Sequence, residues 1–396
     1  MLLTATVVTL LATMLVIGLA HETALRLEAR QGLRFGGTAL AGAQAGLEAG
    51  ARKATVSSAW RSDPTTWLNQ RAVGDGLVTV IASDPADGHV EVNGALGSSS
   101  ADGVRLTSTA TFSGLARTLR ADYLPLPHSA LNNAVYGQTH ICAVGVTVEG
   151  RMQAGGDVLD YGAVSVHGDI TTVTGATVSP GYDDADTDVF YLPTALAIPA
   201  VTFSWFQAAG ERISLPASRK IYNTRITATF NPYGSASARG IYWIDAGGGD
   251  IYLYQVAIEA CLVVLNASCV YVCTTSYTPT PYYHHSPDPD RLPALVVQGD
   301  LRMRVEGGLT ITIPVGMTTA TYDCDMDGVF FCTGEFWGPQ LDATTPITVD
   351  GAILGNAVHL RGPGTLIRHD PNLNLNPVVE MTRAGLRLLP ATTQEG

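Results

Sequence analysis

Residues 135–181 read VYGQTHICAVGVTVEGRMQAGGDVLDYGAVSVHGDITTVTGATVSPG, a series of short β-prone steps separated by glycine. Each step holds about four to six residues, and a Gly, Asn or Asp turn signal returns about every eight to twelve residues. Similar steps recur at 295–316 and 347–370. This spacing is typical of a β-solenoid or a β-sandwich, and we favour the solenoid.

The composition also indicates a chain built mainly from strands. Only 15% of the 396 residues are charged and 42 are glycine, and the length suggests two or three domains. Few charges, many glycines and abundant Val, Thr and Ala predict short strands joined by tight turns. We therefore predict an α+β, mostly β protein: a long N-terminal helix packed on a small antiparallel sheet, with a large inserted β-solenoid-like domain.

The chain opens with a long apolar segment. Residues 1–20, MLLTATVVTLLATMLVIGLA, carry no charge, and a helix of that length spans about 30 Å, the thickness of the hydrocarbon core of a bilayer. A cleaved signal peptide is the main alternative. The apolar run is longer than a signal core and no clear A-x-A cleavage site follows it, so we predict a retained transmembrane helix over 1–20.

The helical pattern continues to about residue 61. Gly42, Gly46 and Gly50 lie four residues apart in its second half. Such spacing lets another helix approach closely, although each glycine weakens an isolated helix by about 1 kcal/mol relative to alanine. An Ala/Gly-rich compositional bias is an equally good explanation.

A period of two replaces the helical period further along. The segments LVTVIA, HVEVNG, VRLTSTATF and ARTLRADYLPL alternate apolar and polar residues, which predicts a small antiparallel sheet with one face against the helix. A late segment, VVEMTRAGLRLLP, alternates again and is predicted to return as a strand of that sheet. The predicted organisation is a helix over 1–61, a sheet over 62–132, an inserted domain over 133–372, and a returning strand with a tail over 373–396.

Charge is uneven along the chain. Residues 1–132 hold equal numbers of acidic and basic residues, so residues 133–396 carry the whole net charge of −12. An acidic domain repels phosphate on average, and any binding of nucleic acid therefore requires a local basic patch.

All six cysteines lie beyond the apolar segment. An even number is typical of disulfide bonds in an oxidising compartment such as the periplasm, and six cysteines allow fifteen pairings. The disulfide candidates are Cys142, Cys261, Cys269, Cys273, Cys324 and Cys332.

The N-terminal third resembles a known family. The apolar helix continuing into AGAQAGLEAGARKA (41–54), followed by a small sheet ending in ARTLRADY (116–123), resembles type IV pilin-like proteins of the minor, PilX-like kind. The large glycine-punctuated insertion is similar to that of competence-associated minor pilins of thermophilic bacteria. The resemblance implies other pilins as partners of the helix, the inner membrane as the site before assembly with the outer domain in the periplasm, and then the pilus at the cell surface.

Two features depart from that family. Family precursors carry a basic leader that ends in glycine before the apolar helix, and we expect this sequence to be either the mature form or one that starts late. The first acidic residue is Glu22, whereas major pilins carry a carboxylate a few residues into the mature helix. A carboxylate in lipid is costly unless it is paired, and its absence removes a stacking contact for the subunit above. The resemblance therefore implies a subunit at the pilus tip.

An acidic segment, Asp323-Cys324-Asp325-Met326-Asp327-Gly328, matches the start of a calcium-binding loop. Alternate carboxylates converge on one side of a tight loop, glycine permits the turn, and a later glutamate can close the shell. A disulfide between Cys324 and Cys332 would limit the motion of that loop. We predict a Ca²⁺ site here, with a solvated acidic turn as the alternative. The predicted ligands are Asp323, Asp325, Asp327 and Glu335.

A basic and aromatic segment spans residues 212–243, and no acidic residue occurs from 212 to 244. Cations that follow a phosphate backbone, with rings on which bases stack, suit a sequence-tolerant DNA groove. Two solvated strands with core aromatics are the alternative. The predicted DNA-binding residues are Arg212, Arg219, Lys220, Tyr222, Arg225, Tyr233, Arg239, Tyr242 and Trp243.

The sequence contains no G-x-S-x-G, H-E-x-x-H or P-loop pattern. We therefore predict no catalytic residues and a binding role: a minor pilin whose β domain binds extracellular DNA for uptake in natural transformation. A pilus-borne adhesin or secretion-system pseudopilin with a surface or glycan partner is the alternative. A polysaccharide-active β-helix enzyme is the third.

Overall fold

The computed structural model describes residues 2–56, 66–73, 76–83, 103–182, 187–273, 292–303, 309–313, 318–322, 325–338, 348–374, 378, 380–388 and 394–395. The chain divides into two compact units. The first comprises 1–87, 103–124 and 384–396, and the second comprises 88–102 and 125–383. The prediction of a mostly β chain with one long helix and a small antiparallel sheet is confirmed, and where a β-solenoid-like domain was predicted the structure has a large curled parallel sheet.

The first unit combines one long helix, α1 (Leu2–Val56), with a small sheet. The strands follow the order β1-β2-β3-β4-β24, and β25 also pairs with β4. β1 was not expected from the sequence, and the segment HVEVNG lies outside the described residues. These strands are β1 (Thr66–Val73), β2 (Gly76–Ser83), β3 (Val104–Phe112), β4 (Leu115–Pro127), β24 (Thr382–Leu388) and β25 (Gln394–Glu395).

The spaced glycines of α1 face the small sheet. A Cβ atom added at Gly46 would lie 2.1 Å from Ser108 Oγ and 2.6 Å from Val78 Cγ1. At Gly42 and Gly50 an added Cβ would lie 3.0–3.1 Å from side chains of β2 or β3. The small residues thus let the helix approach the sheet of the same unit, which neither of the two explanations offered from the sequence, a contact with a second helix or a compositional bias, had predicted. The shared core includes Ala43, Leu47, Val80, Leu106 and Ala121.

Replacing Gly46 with alanine is expected to destabilise the first unit by about 1–3 kcal/mol, because the new methyl group overpacks the helix–sheet contact. Gly37→Ala is the matched control, since a Cβ there meets nothing within 4 Å. It is expected to stabilise the helix by up to about 1 kcal/mol. Urea unfolding followed by helical circular dichroism measures both. Equal effects of the two substitutions would contradict the packing.

The first part of α1 carries exposed apolar side chains, including Met14, Ile17, Leu25 and Leu33. Among the described residues, no helix is long and apolar enough to cross a membrane. The transmembrane helix over 1–20 therefore stays a prediction.

The second unit is dominated by short strands. The first half contains β5 (Val135–Glu149), β6 (Met152–Ala154), β7 (Val158–Asp160), β8 (Ser165–His167), β9 (Ile170–Val173), β10 (Val189–Leu192), β11 (Glu211–Arg212), β12 (Lys220–Thr227) and β13 (Ile241–Asp245). The second half contains β14 (Ile251–Glu259), β15 (Cys261–Leu265), β16 (Cys269–Cys273), β17 (Leu295–Val297), β18 (Asp300–Met303), β19 (Leu309–Ile313), β20 (Thr318–Tyr322), β21 (Asp325–Cys332), β22 (Glu335–Gly338) and β23 (Thr348–His369).

From β11 to β16, each strand pairs in parallel with the strand two places further along the chain. The first ladder runs β11, β13, β15, β17, β21. The second ladder runs β12, β14, β16, β18, β22. Both ladders reach β23, which pairs with β5. Successive turns of chain therefore stack, and a residue lies beside its counterpart one turn away. An antiparallel hairpin, β19 with β20, interrupts this pattern.

The two ladders differ in what covers their outer side. Inward side chains of both ladders form one apolar cluster, which includes Ile221, Leu253, Val270, Leu301, Phe336 and Val358. The outer side of the first ladder is buried in a second cluster, where Phe206 of the short helix α2 (Phe203–Ala209) packs with Cys261, Val263 and Phe331. The outer side of the second ladder instead carries polar and aromatic side chains.

The described cysteines are free thiols. Cys142 is half-buried, while Cys261, Cys269 and Cys332 are buried. A disulfide between Cys324 and Cys332 is therefore not supported, because Cys332 is a free thiol. Cys332 lies among apolar side chains and donates to the carbonyl of Gly334 at 3.4 Å, so it acts as a small core residue. The side chains of Cys273 and Cys324 lie outside the described residues.

Alkylation of the native chain is expected to modify Cys142 before Cys261, Cys269 and Cys332. Burial raises the thiol pKa of all four cysteines, to about 11 for Cys269, but Cys142 is only half-buried and is therefore the most accessible to the reagent. Mass spectrometry of iodoacetamide-treated peptides measures the order, with urea-unfolded chain as the control. A disulfide-linked peptide containing any of these four cysteines would contradict the assignment.

Candidate nucleic-acid interface

One row of side chains crosses six neighbouring strands on the outer side of the second ladder. The strand registers pair each member directly with the next, through β12, β14, β16, β18, β22 and β23. At about 4.8 Å per strand the row is about 24 Å long. We call it the cation–aromatic row; its members are Lys220, Tyr252, Tyr271, Arg302, Trp337 and His359.

Strand alternation places the row on the outside. Neighbours of its members, such as Ile221, Leu253 and Leu301, are fully buried in the inner cluster. Because successive side chains in a strand point to opposite faces, Lys220, Tyr252 and Arg302 must point outward. Lys220 and Arg302 are exposed, and the aromatic members are half-buried.

The row is continuous at the level of ring and cation contacts. The rings of Tyr252 and Tyr271 stack with centroids 4.9 Å apart, and those of Trp337 and His359 stack at 3.8 Å. The guanidinium of Arg302 bridges these pairs, lying 5.8 Å from the Tyr271 ring and 6.0 Å from the Trp337 ring. Both distances fall within the range of cation–π attraction.

A cation lies at each end of the row: its first member, Lys220, at one end and Arg361, which is not a member, at the other. Lys220 Nζ lies 6.0 Å from the Tyr252 ring and 5.6 Å from Tyr254, and the guanidinium of Arg361 lies 4.8 Å from the Trp337 ring. Across the part of the chain that the structure describes, Lys220, Arg302 and Arg361 form no ion pair with a carboxylate. Three positive charges are therefore available to an anionic ligand, although the chain as a whole is acidic.

Carboxylates near the row are engaged with its rings or its backbone. Glu335 accepts a hydrogen bond from Trp337 Nε1 at 2.8 Å, which fixes the indole. Asp300 Oδ1 accepts from the backbone N–H of Glu335 at 2.9 Å. These contacts hold Trp337 in place beside Arg302.

A pocket of about 260 Å³ lies at the β23 end of the row. Its lining includes Trp337, His359 and Arg361 from one side and Cys142 and Tyr161 from the other. Potential metal-binding atoms of His140, Cys142 and His359 lie within 4.8 Å of one another here. Burial and the proximity of His140 lower the pKa of His359, so its imidazole is neutral at pH 7.

The structure separates the nine DNA-binding residues predicted from 212–243. Lys220 belongs to the row, and Tyr222 lies on the same strand with its side chain 52% exposed. Arg225 pairs with Glu259. Arg219 donates from Nε to the Asp250 carbonyl at 2.8 Å and also contacts the Ala246 carbonyl. The side chains of Arg219 and Arg225 therefore stabilise the fold through contacts within the chain.

The remaining members of that set lie elsewhere. Tyr242 is fully buried, and its hydroxyl donates to the Thr227 carbonyl at 2.6 Å, so its predicted role as a ligand contact is wrong. Tyr233 is half-buried against the inner cluster, and Arg239 is half-buried. Arg212 lies over the Trp243 ring at 5.3 Å on the first ladder, away from the row.

The predicted calcium segment is only partly described. Asp323 and the side chain of Asp325 lie outside the described residues. The backbone from Asp325 onward is strand β21 and not a tight loop, because it pairs with 348–354 of β23. Asp327 pairs with Asp350 there, whereas Glu335 begins β22 and binds Trp337. Ca²⁺ binding stays a prediction without the loop geometry that suggested it.

Sequence reasoning missed most of the row. Its members come from separate strands, and only the register of the parallel ladder places them side by side. The available signal was an aromatic or cationic residue at an outward position of successive steps, such as Tyr271 in CVYVC, Arg302 in DLRM and Trp337 in EFWG.

No protein-family model matches the chain, and no curated protein sequence matches it. Among solved structures, the competence-associated pilin ComZ from Thermus thermophilus matches with a TM-score of 0.31 at 11% identity, over 91% of this chain and 98% of that chain. The ice-binding protein from the Antarctic ascomycete Antarctomyces psychrotrophicus matches with a TM-score of 0.22 at 10% identity, over 60% of this chain and 95% of that chain. Both scores are too low to assign a function.

Proposed function

We propose that the second unit binds DNA along the cation–aromatic row. The observation that carries this proposal is the continuous row of rings and cations across six parallel strands, in which Lys220 and Arg302 form no ion pair with any carboxylate that the structure describes. Lys220, Arg302 and Arg361 contact phosphates, while Tyr271 and Trp337 supply ring surface for unpaired bases. Proteins that bind single strands without sequence preference combine these two kinds of contact.

The local charge of the row fits a polyanion better than the net charge does. Residues 133–396 carry the whole net charge of −12, so the acidic surface elsewhere repels phosphate and confines it to the row. Contacts to phosphate carry no sequence information, and stacking tolerates every base. The proposed binding is therefore independent of DNA sequence.

We further propose that the first unit carries the DNA-binding unit as a minor pilin. The supporting observations are the 55-residue helix, whose later part packs on an antiparallel sheet, and the exposed apolar side chains of its earlier part. Together with the family resemblance of the sequence, they favour insertion in the inner membrane and then assembly with other pilins at the tip of a pilus. In this proposal the chain binds extracellular DNA for uptake and catalyses no reaction.

A pilus-borne adhesin is the second candidate, because stacked aromatic side chains such as Tyr252 and Tyr271 also suit the apolar faces of sugar rings. The two candidates differ in their dependence on salt. Binding that neutralises phosphates releases counterions and weakens steeply as salt rises, whereas binding of a neutral glycan does not.

Fluorescence anisotropy with the detergent-solubilised full chain tests the proposal. We expect single-stranded oligonucleotides of different sequence to bind with similar affinity, and the logarithm of that affinity to fall linearly with the logarithm of the salt concentration. Undetectable DNA binding at low salt, together with salt-independent binding of a neutral oligosaccharide, would overturn the proposal in favour of the adhesin.

A further inference from the structure

Three side chains with metal-binding atoms converge at the β23 end of the row. His140 and Cys142 lie on β5, and His359 lies on β23. The ligand atoms of the three residues all lie within 4.8 Å of one another, and each side chain is half-buried. The imidazole rings of His140 and His359 meet edge to face with centroids 5.1 Å apart.

The strand register explains why these residues meet. His140 and Cys142 are two residues apart on one strand, so their side chains leave the same face. Cys142 pairs directly with His359 on the neighbouring strand. β5 is held on both sides, by β23 and by β7, which gives the three residues a rigid backbone. Sites built on paired strands hold their geometry better than sites on loops.

Neighbouring groups orient the two histidine side chains. Thr139 Oγ1 lies 3.3 Å from His140 Nδ1 and donates to the Asn356 carbonyl at 2.8 Å, which leaves His140 Nε2 for a ligand. Tyr161 lines the same pocket as Cys142. His359 is held by its stack on Trp337. Such outer contacts fix the donor atoms of metal sites.

We propose that His140, Cys142 and His359 bind one divalent transition metal ion of the zinc class. Two imidazole nitrogens and one thiolate are the donors that Zn²⁺ prefers over the oxygen ligands typical of Ca²⁺. In a tetrahedral zinc site the donor atoms lie about 3.4–3.7 Å apart. Side-chain rotations that move each ligand atom by about 1 Å would therefore bring the three atoms into that range.

The adjoining pocket suits the fourth coordination position. Three protein ligands leave one position for water or an anion, as in open zinc sites. The pocket borders Cys142 and His359 and also contains Arg361 and Tyr161. Arg361 opposes a bound cation electrostatically, whereas the carboxylates of Glu335 and Asp157 favour it. The site shares His359 with the row, whereas His140 and Cys142 lie outside the row.

Titration of the metal-free full chain with Co²⁺ tests this site. We expect one equivalent to bind, with the charge-transfer absorption of a cobalt–thiolate bond, and Zn²⁺ to displace it. Cys142→Ser should abolish that absorption, and His140→Gln should weaken binding at least about tenfold. The exposed His167 provides the matched control, so His167→Gln should bind like the wild type.

Each alternative result contradicts the site. Retention of the cobalt–thiolate absorption in Cys142→Ser would place the metal on another cysteine. Co²⁺ binding that is equal in the wild type and His140→Gln would exclude the cluster. If Cys142→Ser fails to fold, as judged by circular dichroism, His140→Gln and His167→Gln together still decide the question. Zinc content after dialysis, measured by mass spectrometry, gives a readout that does not depend on DNA.

Discussion

Trp337→Ala is expected to weaken binding of single-stranded DNA by about 5- to 150-fold, the loss measured when one base-stacking aromatic is removed. The indole contacts Arg302, Arg361 and His359, so its removal also releases two cations that it holds in place. Fluorescence anisotropy of a labelled oligonucleotide measures the change.

An exposed aromatic residue away from the row provides the matched control. Tyr191 on β10 is 53% exposed, and Tyr191→Ala removes similar ring area without touching the row. We expect it to leave DNA affinity within about twofold of wild type, a change within experimental scatter. Equal losses for Trp337→Ala and Tyr191→Ala would show that DNA contacts no defined row.

The double substitution Lys220→Gln and Arg302→Gln is expected to flatten the salt dependence of DNA binding. Each lost phosphate contact on a single strand reduces the slope of log affinity against log salt by about 0.7, so the two together reduce it by about 1.4. Affinity at low salt falls as well, while affinity at high salt changes less. Titrations at several salt concentrations provide the slope.

Arg225→Gln tests whether a positive charge outside the row contributes to DNA binding. Arg225 pairs with Glu259, so its loss is expected to lower the unfolding temperature while leaving the salt slope unchanged. If Arg225→Gln reduced the slope of log affinity against log salt and the double variant did not, DNA would contact the basic segment 212–243 predicted from the sequence and not the row.

The broad architecture could be predicted from local patterns. The change from a helical period to a period of two correctly placed the helix before the small sheet, and α1 ends at Val56. Glycine-punctuated steps such as those of 135–181 correctly indicated stacked strands, although β5 runs for 15 residues and β23 for 22, longer than the predicted four to six. These signals are local, because they depend on periods of a few residues that the chain itself carries.

The partners of individual residues could not be predicted in this way. The spacing of Gly46 suggested either a helix pair or a compositional bias, yet Gly46 faces Ser108, more than sixty residues away along the chain. Tyr242 lies in a basic segment, but the alternation of β13 turns its ring into the core. A shift of one residue along a strand moves a side chain from the core to the surface, and the composition of a segment does not determine that shift.

The row shows the same limit most clearly. Lys220, Tyr252 and Tyr271 are separated by unequal stretches of chain, so no fixed repeat relates them. Only the parallel register of β12, β14 and β16 makes them neighbours. The DNA-binding residues predicted from the sequence all come from one contiguous segment, so they include Lys220 and omit the members of the row on later turns.

The most direct test of the DNA-binding proposal is to map where DNA contacts the chain. Ultraviolet crosslinking of the full chain to a single-stranded oligonucleotide, followed by mass spectrometry of the peptides, identifies the contacting side chains. The row predicts adducts at Tyr252, Tyr271 and Trp337 that disappear at high salt. Adducts at Tyr191 or Trp243, with none on the row, would contradict it.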